Sequence, residues 1–223
     1  MLVTDSIEEI RNTVRLWKRE KLKVGFVPTM GALHDGHLAL VRQAKKNSDR
    51  VVVSIFVNPE QFGPNEDFEN YPRQLDDDLK LCRKNKAAAV FTPEELIMYP
   101  GKSFVKIEIN DLNRYMCGAS RPGFFEGVLL VVNKLINIIE PDMAVFGQKD
   151  IQQFLIIQQM MKEFNHGVDI CKWEKSKGLM TALPLAAGIH ISIMSNASGP
   201  LHSTDLSDIS RNRSRAVFMN HYS

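Results

Sequence analysis

Two imidazoles three residues apart, His34 and His37, stand in the stretch Thr29-Met30-Gly31-Ala32-Leu33-His34-Asp35-Gly36-His37. Imidazole N–H groups donate hydrogen bonds to phosphate oxygens, whose charge grows as a phosphorus–oxygen bond changes hands. Gly31 and Gly36 permit close backbone approach and unusual dihedrals. An apolar run before the stretch and a helical pattern after it place the loop between a strand and a helix N-terminus, where unpaired N–H groups and a partial positive charge stabilise a phosphate chain. H-x-x-H alone has two other readings. It is a pair of metal ligands, although no third His, Cys or carboxylate follows at matching spacing, or it is a surface turn that happens to hold two histidines.

Asn58 and Gln61 follow a second apolar run, and their amides donate and accept at once, which suits a substrate with hydroxyl and carboxylate groups. Asn-Pro-Glu-Gln is equally an ordinary turn. Lys149 and Asp150 open a third loop-to-helix junction. The lysine is a mobile point charge for phosphate, and the aspartate either caps the helix or faces a ribose or magnesium, capping being the commoner duty. Gln153, one turn on, faces the same crevice, and Gln152 points elsewhere. Glu66, Asp67 and Glu69, then Asp76, Asp77 and Asp78, read as a solvated loop and an acidic first turn rather than a metal site.

Elements must hold these groups. Ser6 and Glu9 form a capping box before a helix that runs to about Glu20. Val24 to Val27 and Arg50 to Val57 read as inner strands around a helix that ends near Asn47, a βαβ unit. A helix over Arg73 to Asn85, a strand at Ala88 to Phe91, a strand-like Phe104 to Ile109, a buried helix over Phe125 to Ile139, a strand at Ala144 to Phe146 and a helix over Asp150 to Phe164 complete the pattern. Alternation of this kind implies an α/β fold with a doubly wound parallel sheet, which binds ligands in the loops beyond the carboxyl ends of its strands. From Asp169 onward no strand or helix period stands out, so the chain divides into a Rossmann-like domain over 1–168 and an unassigned tail over 169–223.

The 223 residues carry 28 Lys plus Arg against 26 Asp plus Glu, and a net charge of +2 gives no broad positive field for nucleic acid or an anionic membrane. The most apolar stretch, Gly127 to Ile139, is shorter than the ~20 residues of a membrane span. Cys82, Cys117 and Cys171 lie far apart with no C-x-x-C pair, which argues against a disulfide framework or a structural zinc and for a reducing cytoplasm.

Four separated segments, FVPTMGALHDGH, SIFVNPEQFGPNEDFENYPR, RPGFFEGV and AVFGQKDIQQ, together resemble the pantothenate synthetases, members of the nucleotidyltransferase superfamily marked by an H-x-G-H loop. The likeness runs from about Ser6 to Phe164. It implies ATP-dependent condensation of pantoate with β-alanine through a pantoyl adenylate, with Mg2+ accompanying the ATP and a homodimer as the common assembly. It further implies that Met30, Gly31, Ala32, Leu33, His34, Asp35, Gly36 and His37 cover the ATP phosphates, His34 and His37 binding phosphate and His37 donating a proton. By the same resemblance Gly147, Gln148, Lys149 and Asp150 form an ATP-binding segment whose lysine steadies phosphate, Asn58 lines the acid site, Gln61 touches pantoate and β-alanine, and Gln153 is a second pantoate ligand.

The chain departs from the family pattern twice. Phe124 stands in RPGFF where the family usually has histidine. The family signature D-G-L-A-x-S-S-R-N, a mobile basic loop that closes over ATP ahead of a small C-terminal domain, is absent in frame. Taking the third base of each codon with the first two of the next across Leu179 to Ile189, suitable synonymous codons spell D-D-G-L-A-F-S-S-R-N, and Met180 with Thr181 forces the second D. The tail therefore reads as frameshifted, and the loss of the loop predicts poor turnover, one catalytic clamp being worth on the order of 10²–10³ in rate. The rival readings are another nucleotidyltransferase, against which the amides of Asn58, Gln61 and Gln153 speak, and a non-catalytic nucleotide-binding module.

Overall fold

The computed structural model describes residues 1–63, 66, 68–113, 117–147 and 151–173. Its core is a six-stranded sheet, all parallel, built from β1 (Leu2–Thr4), β2 (Val24–Thr29), β3 (Arg50–Ile55), β4 (Ala89–Phe91), β5 (Met143–Gly147) and β6 (Asp169–Trp173). The spatial order is β1-β4-β3-β2-β5-β6. The chain steps from β2 to β3 on one side and later places β5 on the other side of β2. The order therefore reverses between β2 and β5, which opens a crevice at their carboxyl ends. The expected doubly wound α/β fold is the one found.

Strand alternation sends side chains to two cores. Val24, Phe26, Val52, Phe91 and Ala144 face one side, with α1 (Ile7–Arg19), α6 (Phe124–Ile139) and α7 (Ile151–Glu163) packed on them. Val27, Val51, Val53, Val90 and Val145 face the other, beneath α2 (Asp35–Asn47) and α3 (Leu75–Lys84). Two four-residue helices, α4 (Glu95–Met98) and α5 (Cys117–Ser120), lie on the connections. Full burial of a side chain such as Phe26 or Ile139 contributes about 1.5–3 kcal/mol, so the sheet is held from both faces. Helix α1 begins as expected, with Ser6 Oγ accepting the Glu9 N–H at 3.2 Å. Helix α6 starts after Gly123 at φ +84° and stops where Glu140 turns to φ +50° before Pro141.

Two expectations are corrected. Asp169–Trp173 is a strand, in parallel register with Met143–Gly147, so the sheet runs past the boundary placed at 168. It joins an edge, and Ile170 on one core and Cys171 on the other are only partly buried, which leaves no strong apolar pattern in DICKW. The rest of the tail, from residue 174, lies outside the described residues. Conversely, the alternating Phe104 to Ile109 forms no strand: Phe104 is 91% and Val105 72% exposed, and only Ile107 and Ile109 reach the core. No helix among the described residues is long and apolar enough to cross a membrane.

Candidate functional site

The loop after β2 is built from the backbone outward. Thr29 Oγ1 donates to the Ser54 carbonyl at 2.6 Å and accepts the Gly31 N–H at 3.3 Å. Gly31 at φ +89° and Ala32 at φ +48° then turn the chain through two successive left-handed residues. The turn is held by Asp78 of α3, whose Oδ2 accepts the Ala32 N–H at 2.9 Å and whose Oδ1 accepts the Leu33 N–H at 2.7 Å. A Cβ on residue 31 would come within 3.1 Å of that carboxylate. Asp78 is 1% exposed. The sequence placed it among solvated acids, and this is a correction. Asp76 and Asp77 on the same turn are exposed, as expected, and Asp67 lies outside the described residues.

His34 caps α2, and its Nδ1 accepts the Gly36 N–H at 3.1 Å. Its own backbone N–H donates to His37 Nδ1 at 3.4 Å. This is a capping box made of two imidazoles, with ring centroids 4.1 Å apart and planes tilted by 36°. A nitrogen that accepts a backbone N–H carries no proton, so each neutral ring holds its proton on Nε2. The cap thus fixes the tautomer, with the proton of each neutral ring on Nε2. Ala32 and Leu33 turn their amide protons inward to Asp78, so these two N–H groups are already engaged within the protein.

Beyond β3, the 3-10 turn Pro59–Gln61 brings Asn58 and Gln61 together at 1% and 9% exposure. Asn58 Nδ2 donates to Gln61 Oε1 and to the Gly127 carbonyl, both at 3.1 Å, and Asn58 Oδ1 accepts the Tyr99 hydroxyl at 2.7 Å. Every hydrogen-bonding group of the Asn58 amide is thereby engaged inside the protein. Gln61 Nε2 donates to Met30 Sδ at 2.9 Å, which ties the amide pair to the loop of the two histidines. Burial pushes the Tyr99 phenol above its usual range, with the Glu60 and Glu95 charges adding to it, so the hydroxyl stays a donor.

The segment RPGFFEGV supports this turn. A Cβ on Gly127 would lie 2.0 Å from the Glu60 carbonyl oxygen, so only glycine lets α6 touch the turn. The Arg121 guanidinium pairs with both Glu66 oxygens and donates to the Gln61 carbonyl at 3.3 Å. It also stacks 3.8 Å above the Phe124 ring. Phe124 thus has a defined duty at the position where the family pattern has histidine, and Glu66 is an ion-pair partner, not merely a solvated acid. Neither Arg121 nor Tyr99 was singled out from sequence, since nothing local marks a contact made across 55 or 41 residues.

Gly147 ends β5, the strand next to β2 where the strand order reverses. Gln148, Lys149 and Asp150 lie outside the described residues, so the expectations placed on them do too. Gln153 sits partly buried in the first turn of α7. Its neighbour Gln152 bridges the Leu112 carbonyl at 3.0 Å and the Cys117 N–H at 3.1 Å. Among the described residues no three imidazole, thiol or carboxylate groups form a metal-sized cluster.

Comparison with known proteins gives the same picture. The pantoate-beta-alanine ligase family profile matches residues 2–178. A pantothenate synthetase from Thermoanaerobacter sp. (strain X514) is 53% identical over 172 residues, which is 77% of this chain and 61% of the relative. The crystal structure of pantothenate synthetase from Thermus thermophilus superposes with a TM-score of 0.73 at 38% identity, covering 78% of this chain and 61% of that one. Pantoate-beta-alanine ligase from Francisella tularensis, complexed with beta-gamma ATP and beta-alanine, gives 0.72 at 39% identity and covers 79% and 68%. The chain thus spans about three fifths of the length of the curated relatives it matches. A family profile that covers most of the chain, together with relatives that share both sequence and fold, leaves one assignment: the chain belongs to the pantoate-beta-alanine ligase family.

Proposed function

We propose that this chain carries the ATP- and pantoate-binding half of an enzyme that condenses pantoate with β-alanine. The observation that carries the reading is the contact between Gln61 Nε2 and Met30 Sδ, which joins the buried Asn58–Gln61 amide pair to the loop of the two histidines. Adenylation requires that adjacency. A pantoate carboxylate oxygen attacks the α-phosphorus of ATP, an oxygen–phosphorus bond forms, and the bond to pyrophosphate breaks. The β-alanine amine then attacks the acyl carbon, AMP leaves with the bonding electron pair, and the nitrogen loses a proton. Catalysis consists of positioning and of stabilising charge on phosphorus.

In this reading His34 and His37 donate from Nε2 to phosphate oxygens, Lys149 adds a point charge, and Gly147 to Asp150 close the nucleotide side. Gln61 and Gln153 meet pantoate. Mg2+ would accompany the triphosphate and offset its negative charge. A homodimer and a cytoplasmic setting belong to the same reading; the exposed Phe104 and Val105 offer apolar surface for the first, and three free, scattered cysteines suit the second.

The out-of-frame tail is part of the proposal. The family match stops at residue 178, one residue before the recoverable signature begins at Leu179. With the S-S-R-N loop lost, the phosphate chain is less neutralised, and turnover falls by about 10²–10³ relative to a full-length relative. Calorimetric titration with ATP, followed by an assay of pyrophosphate and pantothenate from ATP, pantoate and β-alanine, tests both parts. ATP binding with weak turnover, raised by a gene corrected around codons 169–179, supports the proposal. Absence of ATP binding removes the enzymatic reading, and normal turnover of the uncorrected chain removes the frameshift reading.

A further inference from the structure

We infer that Met30 is an oxidation site, and that its sulfoxide captures the Gln61 side chain and keeps substrate from it. The modification stands on the geometry alone, and its consequence for substrate rests on the function proposed above. Met30 follows β2 at its carboxyl end, between buried Thr29 and left-handed Gly31. Among the described methionines, Met98, Met143, Met160 and Met161 are 4% exposed or less. Met1 is the first residue, ahead of the edge strand β1. Of the described internal methionines, Met30 alone is partly exposed. A peroxide that does not enter the cores therefore reaches this sulfur first.

Sδ accepts a proton from Gln61 Nε2 at 2.9 Å. Thioether sulfur is a weak acceptor, which a ligand oxygen displaces readily, whereas a sulfoxide carries a polar oxygen of its own. With hydrogen peroxide as oxidant, a sulfur lone pair bonds to one peroxide oxygen and the O–O bond breaks. The bonding pair stays with the other oxygen, which takes the proton of its neighbour and departs as water. Sulfur loses two electrons and the peroxide gains them. The rotatable bonds of methionine let the new oxygen turn to Nε2, where it stands in the place of a ligand oxygen. Gln61 is 9% exposed, so little water competes for that hydrogen bond. A methionine sulfoxide reductase with a dithiol reverses the change: the oxygen leaves as water and the dithiol closes to a disulfide.

Three measurements on the full chain test this. Peptide mass mapping during mild peroxide treatment is expected to show Met30 gaining one oxygen about tenfold or more faster than Met98, Met143, Met160 and Met161. In the ¹⁵N-labelled, unliganded protein, oxidation slows exchange of the Gln61 side-chain amide protons several-fold, and the same treatment of Met30→Leu leaves them unchanged. Equal rates of oxidation, or Gln61 exchange untouched in a chain oxidised at Met30, overturns the inference whether or not the chain binds substrate. With ATP present, oxidation raises the pantoate Kd of the wild type about tenfold, and the reductase with dithiol restores it. Met30→Leu keeps its own untreated Kd through the peroxide step. An equal loss in Met30→Leu, or full pantoate affinity in wild type oxidised at Met30, overturns the inference while the proposed function stands. A wild-type chain that binds neither ATP nor pantoate removes the proposed function, and mass mapping with the exchange measurement then decides the modification. Should Met30→Leu fail to fold, the time course in the wild type decides: loss of affinity that follows the Met30 sulfoxide fraction supports the site, and loss that follows another residue's oxidation overturns it.

Discussion

Asp78 Oδ1 accepts the backbone N–H of Leu33 at 2.7 Å, across 45 residues of sequence. With Oδ2 on the Ala32 N–H, the carboxylate holds a turn made of two left-handed residues against the end of the sheet. Replacement by alanine strands two inward-facing N–H groups, at about 1–3 kcal/mol each, and releases the loop that presents His34 and His37. Asp78→Ala is therefore expected to lower the unfolding free energy by a few kcal/mol in urea and to weaken ATP binding further than that loss of folded protein accounts for. Full ATP affinity in folded Asp78→Ala would show that the loop holds its shape without the carboxylate.

The imidazole capping box makes a spectroscopic prediction. Long-range ¹H–¹⁵N correlation of the neutral rings is expected to place the proton of both His34 and His37 on Nε2, since each Nδ1 accepts a backbone N–H. His34→Asn keeps an N-cap acceptor and removes the outward donor. Its stability stays within about 0.5 kcal/mol of the wild type while its ATP affinity falls. A loss of stability above about 1 kcal/mol with affinity intact would reverse the roles given to the two nitrogens.

What was legible in the sequence was whatever local periodicity governs. The inner strands at Val24 to Val27 and Arg50 to Val57, and the helices that follow them, announce themselves by apolar runs and 3.6-residue recurrence, and His34 and His37 stand at the junction those patterns define. Asp78 was illegible because an Asp-Asp-Asp run opening a helix reads as solvated charge, and only the docking of α3 decides which of the three turns inward. Asp169–Trp173 was missed because an edge strand shares its side chains between two half-covered faces. Phe104 to Ile109 misled for the opposite reason: alternation describes a strand only where a neighbouring strand accepts its backbone. Arg121 and Tyr99 act entirely through distant partners, Glu66 and Asn58.

Gly127 is a second place where one atom decides. An added Cβ would sit 2.0 Å from the Glu60 carbonyl oxygen and 2.8 Å from the Gln61 nitrogen, both backbone, so neither can swing aside. Gly127→Ala is expected to cost about 3 kcal/mol or more, at the upper end of overpacking, although alanine is the better helix former. Gly101, where nothing lies within 4 Å, is the control, and Gly101→Ala stays within about 0.5 kcal/mol. Equal thermal midpoints for the two variants would mean that α6 and the 3-10 turn separate freely, and the buried amide pair would lose its frame.

The Arg121–Glu66 pair predicts the pH dependence of this corner. Hydrogen bonds from Arg121 are the chief cause that holds the Glu66 carboxyl below its ordinary range, outweighing the opposing effect of burial. Its folded pKa is thus lower than its unfolded one, so the pair contributes stability above the unfolded value, about 4.3, and loses it as pH falls through the folded value. Both side chains are about a third exposed, which keeps the contribution near the 0–1 kcal/mol of surface pairs despite the two-pronged geometry. Urea unfolding of the wild type and Glu66→Gln is expected to show a gap at pH 6 that closes below about pH 4 and shrinks in high salt. Arg121→Lys keeps the charge and loses the fork and the stacking on Phe124, so it recovers only part of that gap. A gap that persists unchanged to pH 3 would assign the stabilisation to the packing of Arg121 on Phe124 alone.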